Sequence, residues 1–163
     1  IIIPFYDENK NLLGVQGREI EKTGLKYITI KVSEDNPKVF GLDTLDKKKT
    51  IYVVEGPIDA MFINNAIASM DASLYHVIPS VGTNLDYVFV FDNEPHNKQI
   101  IKNMEKTISM GQRICVWPKN IVEKDINDMI LSGYTSSDIQ DIIDKHTYSD
   151  LKAKLEFGTW KRV

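Results

Sequence analysis

Val53-Val54-Glu55-Gly56-Pro57-Ile58-Asp59 is the stretch that decides how this 163-residue chain reads. The apolar run Ile51–Val54 ends in a carboxylate, a glycine follows, and Pro57 marks the first turn of a helix that carries a second carboxylate. A buried strand passing straight into a helix is the unit of an α/β layer fold. In open α/β sheets the working site lies beyond the carboxyl ends of the strands. Glu55 is therefore expected at such an end with Asp59 beside it, both facing one cleft. The plainer reading of Asp59 is an acid in a first helical turn, worth about 0.3–1 kcal/mol against the helix dipole. Glu55 ends an apolar run and has no such explanation.

Working outward, Tyr75–Ile78, Tyr87–Phe91 and Arg113–Trp117 are further apolar runs of the kind that form buried parallel strands. Between them lies helical periodicity. Ile58, Met61, Phe62 and Ala66 share the face of a helix opened by Pro57. A second helix is expected from about Pro95 to Met110, with Ile100, Ile101, Met104 and Ile108 inward and Gly111 ending it. A short helix ends near Gly133, another follows the caps Ser136 and Ser137 with Ile139, Ile142 and Ile143 inward, and Tyr148–Val163 is helical in part. Only about seven residues join Tyr75–Ile78 to Tyr87–Phe91, whereas a parallel crossover needs a dozen or more. Either the topology is reduced there or one strand is misplaced.

Ahead of residue 50, Ile1–Tyr6, Leu12–Gly17 and Lys26–Val32 are extended stretches separated by turn-rich segments. The expected fold is α/β: a mostly parallel sheet flanked by helices, preceded by a small mixed or antiparallel β-rich subdomain. The expected divisions are 1–49, 50–135 and 136–163.

A second acidic signal ends another strand. In Tyr87-Val88-Phe89-Val90-Phe91-Asp92-Asn93-Glu94 five apolar residues lead to two acids spaced i, i+2, which share a side in extended geometry. Asp125, Asn127 and Asp128 follow the strand Arg113–Trp117 after a loop. Three strand ends thus carry oxygen donors. Carboxylates crowded in a cleft repel one another unless cations are present, and hard oxygen donors suit Mg²⁺, Mn²⁺ or Ca²⁺. Two such ions about 3.5–4 Å apart serve in-line displacement at phosphorus. The reaction class is phosphoryl or nucleotidyl transfer, or phosphodiester hydrolysis.

Bulk properties set limits on this reading. With 42% hydrophobic and 26% charged residues the chain is of the ordinary globular class. No apolar run approaches the roughly 18 residues of a membrane span, so no membrane partner is expected. The start lacks signal-peptide features and an initiating Met, which implies a piece of a longer cytosolic protein. One cysteine, Cys115, excludes an internal disulfide and a cysteine-rich zinc site within the chain. The net charge of −3 excludes a wholly basic nucleic-acid binder. Residues 1–50 nevertheless hold 9 Lys/Arg against 8 Asp/Glu, and the remainder 11 against 15. His76, His96 and His146 lack metal-ligand spacing, and Trp117 and Trp160 read as core or docking residues rather than base-stacking platforms.

At Glu55-Gly56-Pro57-Ile58-Asp59 and Asp92-Asn93-Glu94 the chain resembles the TOPRIM domain, with its E-G-x-x-D and D-x-D elements. Glu94 stands where the usual pattern has an aspartate. Gly14-Val15-Gln16-Gly17-Arg18, Lys26-Tyr27 and Lys38-Val39-Phe40-Gly41-Leu42 are similar to segments flanking TOPRIM in DnaG-type bacteriophage DNA primases. Ser80-Val81-Gly82-Thr83 and Lys124-Asp125-Ile126-Asn127 resemble two later elements of that family. Asp92-Asn93-Glu94-Pro95 is similar to the acidic loop of T4-like phage primases.

The resemblance covers about residues 1–135 and implies RNA-primer synthesis on single-stranded DNA by Mg²⁺-dependent nucleotidyl transfer, with Mn²⁺ as an alternative ion. It assigns catalysis and metal binding to Glu55, Asp92 and Glu94, with Asp59 and Asp125 supporting the metals. Arg18, Lys26 and Lys38 would hold nucleoside triphosphate and template. Ordinary solvated charge is an equal reading of those three. A replicative helicase, a zinc-binding domain elsewhere in the protein, and the cytoplasm of a phage-infected cell complete the expectation. Two other readings stay open at this point: a TOPRIM nuclease using the same acids, and a non-catalytic nucleic-acid-binding or docking module.

Overall fold

The computed structural model describes residues 1–20, 27–69 and 74–162. Strands β1 (Ile2–Tyr6), β2 (Leu12–Arg18) and β3 (Tyr27–Lys31) form an antiparallel sheet in the order β1-β2-β3. The register pairs Ile3 with Gln16 and Phe5 with Gly14, and sets Gln16 opposite Thr29 and Arg18 opposite Tyr27. Partners share a face, so one side of this sheet grades from apolar Ile3 and Phe5 to polar Gln16 and Arg18. Gly14 fits that face because a Cβ there would stand 2.5 Å from the Ile30 carbonyl and 3.2 Å from the Phe5 ring.

A second sheet holds β4 (Val39–Phe40), β5 (Ile51–Val54), β6 (Ala66–Ser69), β7 (Tyr87–Phe89), β8 (Arg113–Cys115) and β9 (Thr147–Tyr148). Their order is β4-β6-β5-β7-β8-β9, the four inner strands parallel and both edge strands antiparallel. Ile51, Val53, Val54, Ile67, Val88, Phe89, Ile114 and Cys115 are almost wholly buried, as strands covered on both faces require. From β5 the chain crosses to β6 on one side and then to β7 on the other. The carboxyl ends of β5 and β7 therefore flank a topological switch point, where open sheets bind ligands.

Two strand-level expectations need correction. Tyr75–Ile78 is not a strand: a 3₁₀ turn at Leu74–His76 leads into α2 (Val77–Val81), burying Leu74, Val77 and Val81 at helical spacing. The missing strand is β6, whose first residue, Ala66, the periodicity placed on a helix face. Helix α1 (Pro57–Ala60) stops after one turn, and Asn65, with φ 51°, turns the chain into β6. The Asn65 amide donates to the carbonyls of Asp46 and Thr50 and accepts from the Asp46 N–H at 2.8–3.0 Å. With α1 broken and β6 supplied, the short connection to β7 no longer joins two parallel neighbours.

The remaining helices follow the sequence closely. α3 (Lys98–Ser109) is capped by the Asn97 side chain and closes at Gly111, φ +73°. α4 (Ile126–Leu131) is capped by Asp125. α5 (Ser136–Lys145) begins from a capping box of Thr135 and Asp138, one residue ahead of the expected serine caps. In α5 Ile139 and Ile143 are fully buried and Ile142 partly so. α6 (Asp150–Trp160) is the last helix among the described residues, burying Ala153, Phe157 and Trp160. Among the described residues no helix is long and apolar enough to cross a membrane.

Candidate active site

The polar face of the small sheet and the carboxyl ends of the large one enclose a cleft of about 380 Å³. Its walls include Glu55, Asp59, Asp92 and Asp125 from one side and Gln16, Arg18, Tyr27 and Thr29 from the other. Glu55 follows β5 directly. Asp92 stands three residues beyond β7, because Val90 still pairs with Val53 and carries the extended path forward. Asp125 arrives through the loop after β8.

Hydrogen bonds to backbone N–H groups fix three of these acids in place. Glu55 Oε1 accepts the Asp92 N–H at 3.1 Å. Asp59 Oδ1 accepts the Asn127 N–H at 2.9 Å, tying α1 to α4. Asp125 Oδ1 caps α4 through the Asp128 N–H at 2.8 Å. Asp59 thus does more than balance its own helix dipole.

Gly56 has φ −126° and ψ 145°, an extended conformation open to any residue. What demands glycine is space: a Cβ would stand 2.7 Å from Asp59 Oδ2. The glycine of the E-G-x-x-D element lets the second carboxylate fold back beside the first.

The electrostatics of the cleft are unfavourable to its own charges. Burial pushes the Asp92 carboxyl up to about 8, aided by the negative charges of Glu55 and Asp59 and opposed by Lys124. Burial likewise lifts Asp59 to about 6; the Asn127 N–H opposes this, Asp125 adds to it, and Arg18 draws it back. Glu55 is raised, again mainly by burial. Lys124 lies 3.8 Å from Asp92 Oδ2 and 3.6 Å from Glu94 Oε1. Burial works against its charge, yet Glu94, Asp92 and Asp125 together hold its ammonium above the usual lysine range. All the anionic donors are oxygens, which suits a hard divalent cation, and added positive charge would relieve these raised carboxyls. Among the described residues no three His, Cys, Asp or Glu side chains are grouped to hold a metal ion by themselves.

The other sequence candidates are more scattered. Glu94 is not among the residues lining the cleft; its carboxylate meets Lys124 and accepts the Asn97 amide at 2.9 Å. Arg18 lines the cleft with its guanidinium 5.5 Å from the Tyr27 ring centroid. Lys38 precedes β4 and is not a lining residue. Lys26 lies outside the described residues. Ser80–Thr83 closes α2 away from the cleft lining, its Gly82 carbonyl accepting the Tyr87 hydroxyl at 2.7 Å.

Two contributors had no role assigned from sequence. Lys124 is the cation between Asp92 and Glu94. Gln16, a lining residue, is 7% exposed, reaches the Thr29 hydroxyl at 3.3 Å, and has no partner for its Oε1 among the described residues. The alternation of Gln16 with Arg18 along one strand was the available signal for the second.

No family model matches the chain. Among solved structures it is similar to the E. coli primase catalytic core, with TM-score 0.65 and 16% identity, over 97% of this chain and 55% of that one. It is also similar to the DnaG primase catalytic domain bound to single-stranded DNA, with TM-score 0.62 and 16% identity, over 88% and 50%. The fold is that of a DnaG-type primase catalytic core. In sequence the chain is 34% identical over 167 residues to the DNA primase of Enterobacteria phage T4, across 100% of this chain and 48% of that protein. Over its whole length the chain is thus similar to a phage DNA primase, and it spans about half the length of that relative.

Proposed function

We propose that this chain is the RNA-polymerase core of a phage DNA primase, joining ribonucleotides on single-stranded DNA with Mg²⁺ or Mn²⁺. One observation carries the reading: acids from three strand ends meet in one cleft, opposite a sheet face bearing Arg18 and Gln16. The catalytic domain of a DnaG primase with this fold has been seen with single-stranded DNA bound.

Glu55 and Asp92 in the cleft, with Glu94 beside them across Lys124, form the catalytic set, and Asp59 and Asp125 give further support for cations. These carboxylates would hold Mg²⁺ or Mn²⁺ as hard oxygen donors, and partial ligation by the protein suits Mg²⁺. When bound, it supplies stabilisation of charge developing on phosphate. Arg18, with Lys26 and Lys38, holds the triphosphate and the template. The primer 3′-oxygen attacks the α-phosphorus in line, the bond to the β-phosphate oxygen breaks, and pyrophosphate leaves. Residues 50–135 constitute the TOPRIM unit, 1–49 its N-terminal companion and 136–163 a helical tail. A replicative helicase and a zinc-binding domain in the rest of the protein are its partners, in the cytoplasm of the infected cell.

The test supplies single-stranded template, labelled ribonucleoside triphosphates and Mg²⁺, and expects labelled RNA that disappears on chelation. Template shortening without triphosphates would instead establish a nuclease, and salt-sensitive binding without chemistry a docking module.

Gly56→Ala gives a finer check. The added methyl must push the Asp59 carboxylate aside, which a flexible side-chain end permits without unfolding. The expected result is an unchanged melting temperature with Mn²⁺ affinity weakened by about tenfold or more, read by calorimetry. Wild-type affinity in that variant would show that Asp59 has no part in the metal site.

A further inference from the structure

Both tryptophans of this chain donate their indole N–H to the segment that carries Asp92. Trp117 Nε1 donates to the Phe91 carbonyl at 2.7 Å, one residue before the acid. Trp160 Nε1 donates to Asn93 Oδ1 at 3.0 Å, one residue after it. They come from different parts of the fold, the end of the β8 segment and the last turn of α6.

Asn93 is saturated. Its side-chain Nδ2 donates to the carbonyls of Ile121 and Glu123, both at 3.0 Å, and its backbone N–H donates to the Lys124 carbonyl at 2.6 Å. An indole can only donate, so the amide oxygen must face Trp160 and the NH₂ must face the 121–123 loop. Asn93 thus fastens the acidic loop to the loop that delivers Lys124 and Asp125. Trp160 in turn is packed: it stacks on Phe157 at 6.1 Å between centroids and is 7% exposed. The chain just beyond it is pinned to the same region, with the Arg162 N–H donating to the Pro95 carbonyl at 2.9 Å and Lys161 paired with Glu105 at 3.0 Å.

Asp92 and Glu94 lie in no helix or strand, so their placement depends on these bonds together with that of the Asp92 N–H to Glu55. We propose that Trp160 and Asn93 are positioning residues for the acidic loop, so that the C-terminal helix sets the cation affinity of a cleft it does not line. The inference rests on the reading of that cleft as a divalent-cation site. Neither residue touches substrate in this account; both act through Asp92.

The test uses the 163-residue chain and Mn²⁺ or Mg²⁺ alone. Trp160→Phe keeps an aromatic ring in the packed site and removes the donor. Mn²⁺ affinity measured by calorimetry is expected to fall by about tenfold or more, as for other outer-shell partners of metal ligands. Phe157→Leu is the control: it loosens the same helix, leaves the indole donor in place, and is expected to bind Mn²⁺ as the wild type does. In the wild type, Mg²⁺ is expected to shift both indole N–H resonances.

Three results overturn the proposal: wild-type affinity in Trp160→Phe, equal loss in Phe157→Leu, or a Trp160 indole resonance unmoved at saturating Mg²⁺. The last needs no variant to fold. A wild-type chain that binds no divalent cation at all overturns the reading of the cleft itself, and this inference with it.

Discussion

Changing Glu55 to Gln is expected to lower primer synthesis by on the order of 10³-fold while the chain keeps its fold. Gln retains an oxygen that can accept the Asp92 N–H, now held by Glu55 at 3.1 Å, so the bond between the β5 and β7 ends survives. It is nearly isosteric with Glu, and burial already disfavours the Glu55 charge. Removing that charge therefore costs the metal-free fold little. What disappears is one anionic donor of the cation site. Several kcal/mol of charge stabilisation at phosphorus depend on such donors, and each 1.36 kcal/mol is a factor of ten in rate. The measurement is incorporation of labelled ribonucleotide by matched amounts of wild-type and variant protein, with circular dichroism melts alongside. Wild-type incorporation by a folded Glu55→Gln chain would remove the metal-dependent mechanism proposed for this cleft.

The strand ends were legible because they are chemically abrupt. Ile51–Val54 and Tyr87–Phe91 are apolar without interruption, and a carboxylate immediately afterwards has no packing purpose. The fold class followed from the same runs. β6 was hidden for the opposite reason: in Ala66-Ile67-Ala68-Ser69 only Ile67 has a strong strand preference, and its place in the sheet comes from pairing with β4 and β5. The turn at Asn65 into β6 rests on three bonds to Asp46 and Thr50, contacts that no local pattern announces.

The site shows the same division. Residue type and spacing pointed to Glu55, Asp59, Asp92 and Asp125, which do share a cleft. The use of each oxygen was not legible: Asp125 caps a helix, Glu94 accepts the Asn97 amide, and the motif glycine exists to make room for Asp59. Asn93 reads as a spacer between two acids, and only its four partners reveal a clamp.

The largest stability effect is expected from pH and from Asp92→Asn. In the folded chain the Asp92 carboxyl sits at about 8, against an ordinary value of 3.8, and Asp59 at about 6. Between about pH 4 and those values the folded state holds protons that the unfolded chain has released. Stability therefore falls as pH rises through that window; it is fully present below about pH 4 and most reduced above about pH 8. Each unit of displacement corresponds to about 1.4 kcal/mol, so the loss reaches a few kcal/mol, a sizeable part of the roughly 5–15 kcal/mol of an ordinary domain. Without divalent cation, the melting temperature of the wild type should drop between pH 5 and pH 8. Asp92→Asn, neutral throughout, should lose much of that slope and melt higher than the wild type at pH 8. Adding Mg²⁺ at pH 8 should raise the wild-type melting temperature by mass action and leave the variant little changed. A flat wild-type profile, or the same slope in Asp92→Asn, would mean that Asp92 is not the strained carboxylate described here. The expected pattern has a functional meaning: a chain that becomes more stable when an acid is neutralised keeps that acid for something other than folding, and a cation that restores the lost stability identifies what it is kept for.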